Sequence, residues 1–227
     1  MGAAGGQGVG RLDLTEDPAS LLLRLNAILV AFGMMPLEDA VGRQFGVYYS
    51  LFVRWNLRLN LSSVRDEDGI LSRHFAESIA CARALPDSIT SLLDYGSGGG
   101  LPGIPIALCR PQISVTLAES QGRKAAFLKE AIRVLRIPVK VHAQRAEALT
   151  ERFDCVALRA VDRMETAVKT AAGLVARGGW LALMTTGAER ARLQASAGGG
   201  FSWPKVVELP GGRDRLLALG LAGQDPR

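Results

Sequence analysis

Between Ser91 and Gly103 the chain reads SLLDYGSGGGLPG, and these residue types suit a loop that cradles an anionic or nucleotide-like ligand. Leu92 and Leu93 read as the end of a buried strand, and Asp94 closes it. Five glycines between Gly96 and Gly103 follow, before an apolar helical pattern resumes. Glycine takes positive φ without strain and lets a ligand approach bare backbone. Pro102 suits the first turn of the next helix, where its missing N–H is not needed. The start of that helix is expected to face the turn with unpaired N–H groups and a partial positive charge, and so to attract an anion. Two chemistries fit the letters. Gly98, Gly100 and Gly103 have the G-x-G-x-x-G spacing of a dinucleotide site, whereas Asp94, Gly96 and Gly98 give D-x-G-x-G.

The elements that must position this turn follow from hydrophobic periodicity. Ahead of it, Asp17-Pro18 marks a helix start, with Leu21, Leu22, Leu25, Ile28 and Leu29 at helical spacing up to Gly33. A second helix is expected from about Pro36, with Val41, Phe45, Tyr48, Phe52, Trp55 and Leu59 along one side, and a third from Ile70 to Leu85. From Ser91 onward strand and helix alternate. Strands are expected at 113–117, 139–142, 155–158 and 180–184, and helices at 123–136, 164–176 and 188–195. The segments 206–209 and 216–219 flank Pro210-Gly211-Gly212 as a closing hairpin. This pattern predicts an α/β fold, a seven-stranded Rossmann-like sheet covered by helices on both faces. The expected divisions are a flexible segment 1–14, a helical extension 15–88 and the sheet domain 89–227.

In a doubly wound sheet, ligands lie across the carboxyl ends of the strands, so each strand end reads as a site wall. Glu119 follows the second strand, where a carboxylate can accept hydrogen bonds from both ribose hydroxyls of an adenosine. Arg145, Ala146 and Glu147 follow the third strand, on the adenine side. Arg159 follows the fourth and points to where a donor would meet its acceptor. Arg123 and Lys124, with Lys129, Arg133 and Arg136, form the polar side of a helix that can act as a phosphate track.

Composition narrows the classes. A chain of 227 residues with 48% hydrophobic and 22% charged residues is a globular protein with a full core. The 22 arginines against 5 lysines, at a net charge of +5, allow a nucleic-acid partner. Cys81, Cys109 and Cys155 are far apart and read as buried thiols of a reducing compartment. With only His74 and His142 besides, no metal site is expected. The apolar stretch 21–35 is broken by Arg24 and Asn26 and is too short to span a membrane.

The D-x-G-x-G turn resembles that of S-adenosylmethionine-dependent methyltransferases of class I. A more specific likeness follows from Trp55-Asn56 with Asn60-Leu61, Arg73-His74 with Ser78, the run from Asp94 to Pro105, Phe127-Leu128, Arg145-Ala146-Glu147, Phe153-Asp154 and Arg159-Ala160. Together, from about residue 43 to 220, these resemble the bacterial ribosomal RNA small-subunit methyltransferase G family, also called glucose-inhibited division protein B. The resemblance implies methyl transfer from S-adenosyl-L-methionine to N7 of a guanine in the 530 loop of 16S rRNA, on the 30S subunit, by a cytoplasmic monomer. It implies cofactor contacts at Gly96, Leu101, Ala146, Glu147 and Arg159, to which the turn and strand ends add Asp94, Gly98 and Glu119. N7 keeps a free lone pair at neutral pH, so no general base is required, and Arg159 is the one candidate for a catalytic part. Trp55, Asn56, Arg58, Arg123 and Lys124 are the candidate RNA contacts. Leu158 and Thr186 depart from the family pattern, which has serine before the arginine and lysine after the fifth strand. A small-molecule acceptor, or a nucleotide- or ribosome-binding module without catalysis, are the alternative readings.

Overall fold

The computed structural model describes residues 18–223. The expected flexible segment 1–14 and the cap at Asp17 lie outside them. Helix α1 (Pro18–Ala31) and helix α2 (Asp39–Leu59) come first. Along α2 the buried residues Phe45, Tyr48, Tyr49, Phe52, Val53 and Asn56 recur at helical spacing, so one face is committed to the core. Asn60 ends α2 in the left-handed region at φ 50°. The third helical segment starts earlier than expected. A single turn, α3 (Glu67–Gly69), capped by Asp66, runs into a π-helical stretch Ile70–Ala76 and then α4 (Glu77–Ala84).

The sheet has seven strands: β1 (Ser91–Tyr95), β2 (Ser114–Ala118), β3 (Lys140–His142), β4 (Phe153–Arg159), β5 (Val175–Thr186), β6 (Phe201–Glu208) and β7 (Arg215–Ala222). Their order is β3-β2-β1-β4-β5-β7-β6, with β1 to β5 parallel and β7 antiparallel to both β5 and β6. Helices α5 (Gly103–Cys109), α6 (Gly122–Leu135), α7 (Met164–Leu174) and α8 (Gly187–Ser196) make the crossovers. The expected α7 ran on to Ala176. In the structure Val175 and Ala176 already belong to β5, because Val175 pairs with Phe153 of β4.

Strand alternation divides the core between the two faces of the sheet. Leu92, Cys155, Ala157 and Ala182 face the side covered by α1, α2 and α4 to α6, whereas Leu93, Val156, Leu158, Leu181 and Leu183 face α7 and α8. Both leucines of β1 are fully buried, each contributing about 2 kcal/mol of transfer free energy. The departure at Leu158 is thus a core position. Among the described residues, no helix is long and apolar enough to cross a membrane.

Candidate active site

The chain reverses its direction of build-up between β1 and β4, which lie side by side although β2 and β3 come between them in sequence. Ligands of open α/β sheets bind at such a crevice. Register brings the strand ends level: Tyr95 pairs with Ala118 and with Leu158, and Ala118 with His142. Gly96, Glu119 and Arg159, each following one of these residues, therefore stand in a row. Antiparallel β7 begins where the parallel strands end, so Arg215, opposite Thr186, arrives at the same rim.

The turn after β1 is held by its own backbone. Ser97 N–H donates to Ala118 O at 2.9 Å, and Gly100 N–H to Ser97 O at 2.7 Å. Gly96 has φ +72°, and a Cβ there would meet Val161 at 3.1 Å. Gly98, at φ +52°, has nothing beyond backbone 4.0 Å away where its Cβ would stand, which leaves the loop open toward the cavity. The expectation of a free helix N-terminus is corrected. Pro102 precedes α5 rather than lying in its first turn. Gly103 N–H donates to Asp94 Oδ2 at 3.0 Å, and Ile104 N–H to Gly100 O at 2.8 Å. The anion at this helix start is the protein's own carboxylate. Burial pushes the Asp94 carboxyl up to about 7, against the Gly103 hydrogen bond. Asp94 is 1% exposed and does not line the cavity, and its carboxylate is used in shaping the turn.

A cavity of about 840 Å³ opens over this row of strand ends, within the size range of ligand pockets, about 300–1,000 Å³. It brings together Gly96, Gly98, Leu101, Glu119, Ala146, Glu147, Arg159 and Lys124 of the expected site. Glu119 Oε2 accepts Gly98 N–H at 2.9 Å and Oε1 accepts Gln121 N–H at 2.7 Å, which fixes the carboxylate and leaves each oxygen a lone pair for a hydroxyl. Glu147 Oε1 accepts the Tyr95 hydroxyl at 2.9 Å. Burial, together with that carboxylate, pushes the Tyr95 phenol up to about 12.

Trp55, Asn56, Arg58 and Arg123 do not line the cavity. Trp55 is half-buried against Phe127, 5.8 Å between ring centres. Asn56 is 3% exposed, and its amide braces the following loop by accepting Ser62 N–H at 2.8 Å and donating to Val64 O at 3.2 Å. It is therefore spent inside the protein and does not face RNA. Arg58 and Arg123 are exposed on the surface outside the mouth. The departure at Thr186 has a structural use, because its hydroxyl caps α8 by accepting Glu189 N–H.

Sequence reasoning missed the cluster that holds Arg159. Glu77, fully buried, takes a fork from Arg215 (Nε to Oε1 2.9 Å, Nη2 to Oε2 3.0 Å) and pairs with Arg159 Nη2 at 3.1 Å. Arg159 Nη2 also donates to the backbone oxygen of Arg73 and to His74 Nδ1. Burial lowers the Arg159 pKa and Glu77 opposes that shift. Its Nε is buried with no partner among the described residues. This unspent N–H, the lone pairs of Glu119 and the open face of Gly98 fit a ligand with a hydroxyl-bearing end and an anionic end, as S-adenosylmethionine has. Among the described residues, no group of three or more His, Cys, Asp and Glu side chains is placed to hold a metal ion.

The family described as rRNA small subunit methyltransferase G matches residues 42–197. A protein of that name from Stenotrophomonas maltophilia is 36% identical over 215 residues, covering 91% of this chain and 93% of its own. One from Roseiflexus sp. is 43% identical over 130 residues, where the match spans 54% of this chain and 56% of that protein. Among solved structures, the fibrillarin pre-rRNA processing protein of Methanococcus jannaschii superposes with a TM-score of 0.54 at 15% identity, covering 66% of this chain and 76% of that one. An N-methyltransferase from Bradyrhizobium japonicum gives 0.53 at 16% identity, with coverages of 71% and 100%. At these identities the structures speak for the fold alone.

Proposed function

Because the chain belongs to the rRNA small subunit methyltransferase G family, we propose that it transfers a methyl group from S-adenosyl-L-methionine to N7 of a guanine in 16S rRNA. The acceptor is the 530 loop on the 30S subunit or its precursor, met by a cytoplasmic monomer. The observation that carries this reading is the convergence of the glycine turn, Glu119 and Arg159 on one cavity at the β1/β4 crevice. Glu119 and the backbone at Gly98 would hold the ribose, Ala146 and Glu147 the adenine side, and Arg159 the charged methionine end. The cofactor supplies a methyl on a sulfonium sulfur, which N7 takes with its lone pair while the C–S electron pair returns to sulfur. No proton has to be removed first, so the protein's task is positioning and exclusion of water. His74 suits a site without a base. Burial, and then the Arg159 charge, hold it down to about 3, so it stays neutral. The extension, residues 18–84, forms the acceptor-side wall, contributing Arg73 and His74 to the cavity.

The test is transfer of labelled methyl from S-adenosylmethionine to 30S subunits lacking their native modification, with the nucleotide mapped by N7-specific cleavage. Label at one guanine of the 530 loop is the expected result. The Gly96→Arg variant abolishes it, since a side chain at φ +72° is forced against Val161. Cofactor binding with no RNA label would move the acceptor to a small molecule.

A further inference from the structure

One hydroxyl beside the cavity has a hydrogen to spare. Ser62 Oγ accepts Val64 N–H at 3.0 Å and lies 2.6 Å from His74 Nε2. The far side of the imidazole decides who donates. Arg159 Nη2 is 3.0 Å from His74 Nδ1, and a guanidinium can only donate. The Arg73 carbonyl beside the ring, which would favour a hydrogen on Nδ1, already accepts from the same Arg159 Nη2, so Nδ1 is assigned the lone pair and Nε2 the hydrogen, and His74 donates to Ser62. With two hydrogen bonds accepted, the Ser62 hydroxyl has only its own hydrogen left to use, and none of its bonds among the described residues uses it. Its position is held as well. Asn56 fixes the Ser62 backbone, and His74 is fixed by Arg159, which is anchored on Glu77. Ser62 and His74 line the same cavity as Gly98 and Leu101.

We propose, resting on the reading of guanine N7 as the acceptor atom, that the Ser62 hydroxyl donates to O6 of the target base and thereby selects a 6-oxo purine. The edge of guanine that carries N7 also carries O6, both acceptors, whereas adenine presents an amino donor in place of O6. N7 must stay free to receive the methyl, so O6 is the atom on that edge left for a donor to read. Adenine would set donor against donor. As the methyl arrives, positive charge spreads over the base and O6 becomes a poorer acceptor, so the bond is no stronger in the transition state than before it. Loss of the bond therefore appears in KM and leaves kcat nearly unchanged.

The experiment uses 30S subunits reconstituted with 16S rRNA carrying guanosine, inosine or 2-aminopurine ribonucleoside at the target. Inosine keeps O6, and 2-aminopurine lacks it but keeps N7. The unaltered protein is expected to methylate guanosine and inosine alike and 2-aminopurine about tenfold less well in kcat/KM, the worth of one hydrogen bond. Ser62→Ala is expected to treat all three alike at the 2-aminopurine level, with unchanged affinity for S-adenosylmethionine, and Ser62→Thr to restore the preference. The proposal is overturned if Ser62→Ala keeps the tenfold preference, or if it loses cofactor affinity instead. Equal methylation of guanosine and 2-aminopurine by the unaltered protein overturns it without reference to any variant. If the unaltered protein labels none of the three subunits, the guanine N7 reading itself fails, and this inference with it.

Discussion

A histidine that accepts a hydrogen bond from an arginine must be neutral, and His74 carries a consequence for stability in acid. Its folded pKa is about 3 against an ordinary value near 6.5, so the unfolded chain binds a proton that the folded protein refuses. The contribution is complete above about pH 6.5 and is lost as pH falls toward 3. Urea unfolding should show about 2 kcal/mol lost between pH 6.5 and 5 that a His74→Asn variant does not lose. At this scale the sequence was readable where local spacing dictates geometry. The glycine turn, Glu119 and Ala146 occupy the expected places because each follows a strand end. Asp94 and Asn56 differ for one reason: a polar side chain near a site can be spent on backbone groups, and a linear pattern does not tell which partners lie inside. Ser62 gave no signal, since its part depends on His74 twelve residues later.

The elements add a dependence of the site on the extension. Glu77, at the start of α4, is shared by two guanidiniums that come from β4 and β7. Glu77→Ala leaves the buried Arg159 and the partly buried Arg215 without their shared carboxylate and should cost about 3–5 kcal/mol, measurable as a lowered urea midpoint. The π-helical stretch Ile70–Ala76 sets the phase of this wall, presenting Arg73 and His74 to the cavity ahead of Glu77. Periodicity identified the helix but not its widened turn, because seven residues are too short a run for the altered period to stand out from α-helical spacing. Helix α7 ends two residues before its expected end, since Val175 and Ala176 suit either state and only pairing with β4 decides. Glu77 escaped notice because its partner Arg215 is 138 residues away.

For the whole molecule, charge decides how RNA is met. Six basic side chains line the cavity (Arg73, Lys124, Arg145, Arg159, Arg163 and Arg215) against three acidic ones (Glu119, Glu147 and Asp162), an excess of +3 in a chain whose net charge is +5. Lys124 stands at this mouth and Arg123 beside it on an exposed surface. An Arg123→Ala, Lys124→Ala double variant should bind 30S subunits more weakly, with a log affinity versus log salt slope shallower by about 1–2. The arginine-rich composition allows a nucleic-acid partner, yet only the folded sheet gathers these side chains at one rim. The same gathering has a consequence during synthesis on the ribosome. The extension is translated first, but α2 packs on α6, and Glu77 must wait for Arg159 and then Arg215, near the end of the described chain. Phe45 and Tyr48 meet Phe75 within the extension itself, whereas Phe52 emerges well before Phe127 of α6, which packs against it. The extension is thus made before the elements that lock it, and the side of α2 that meets α6 stays uncovered on the nascent chain until α6 has followed.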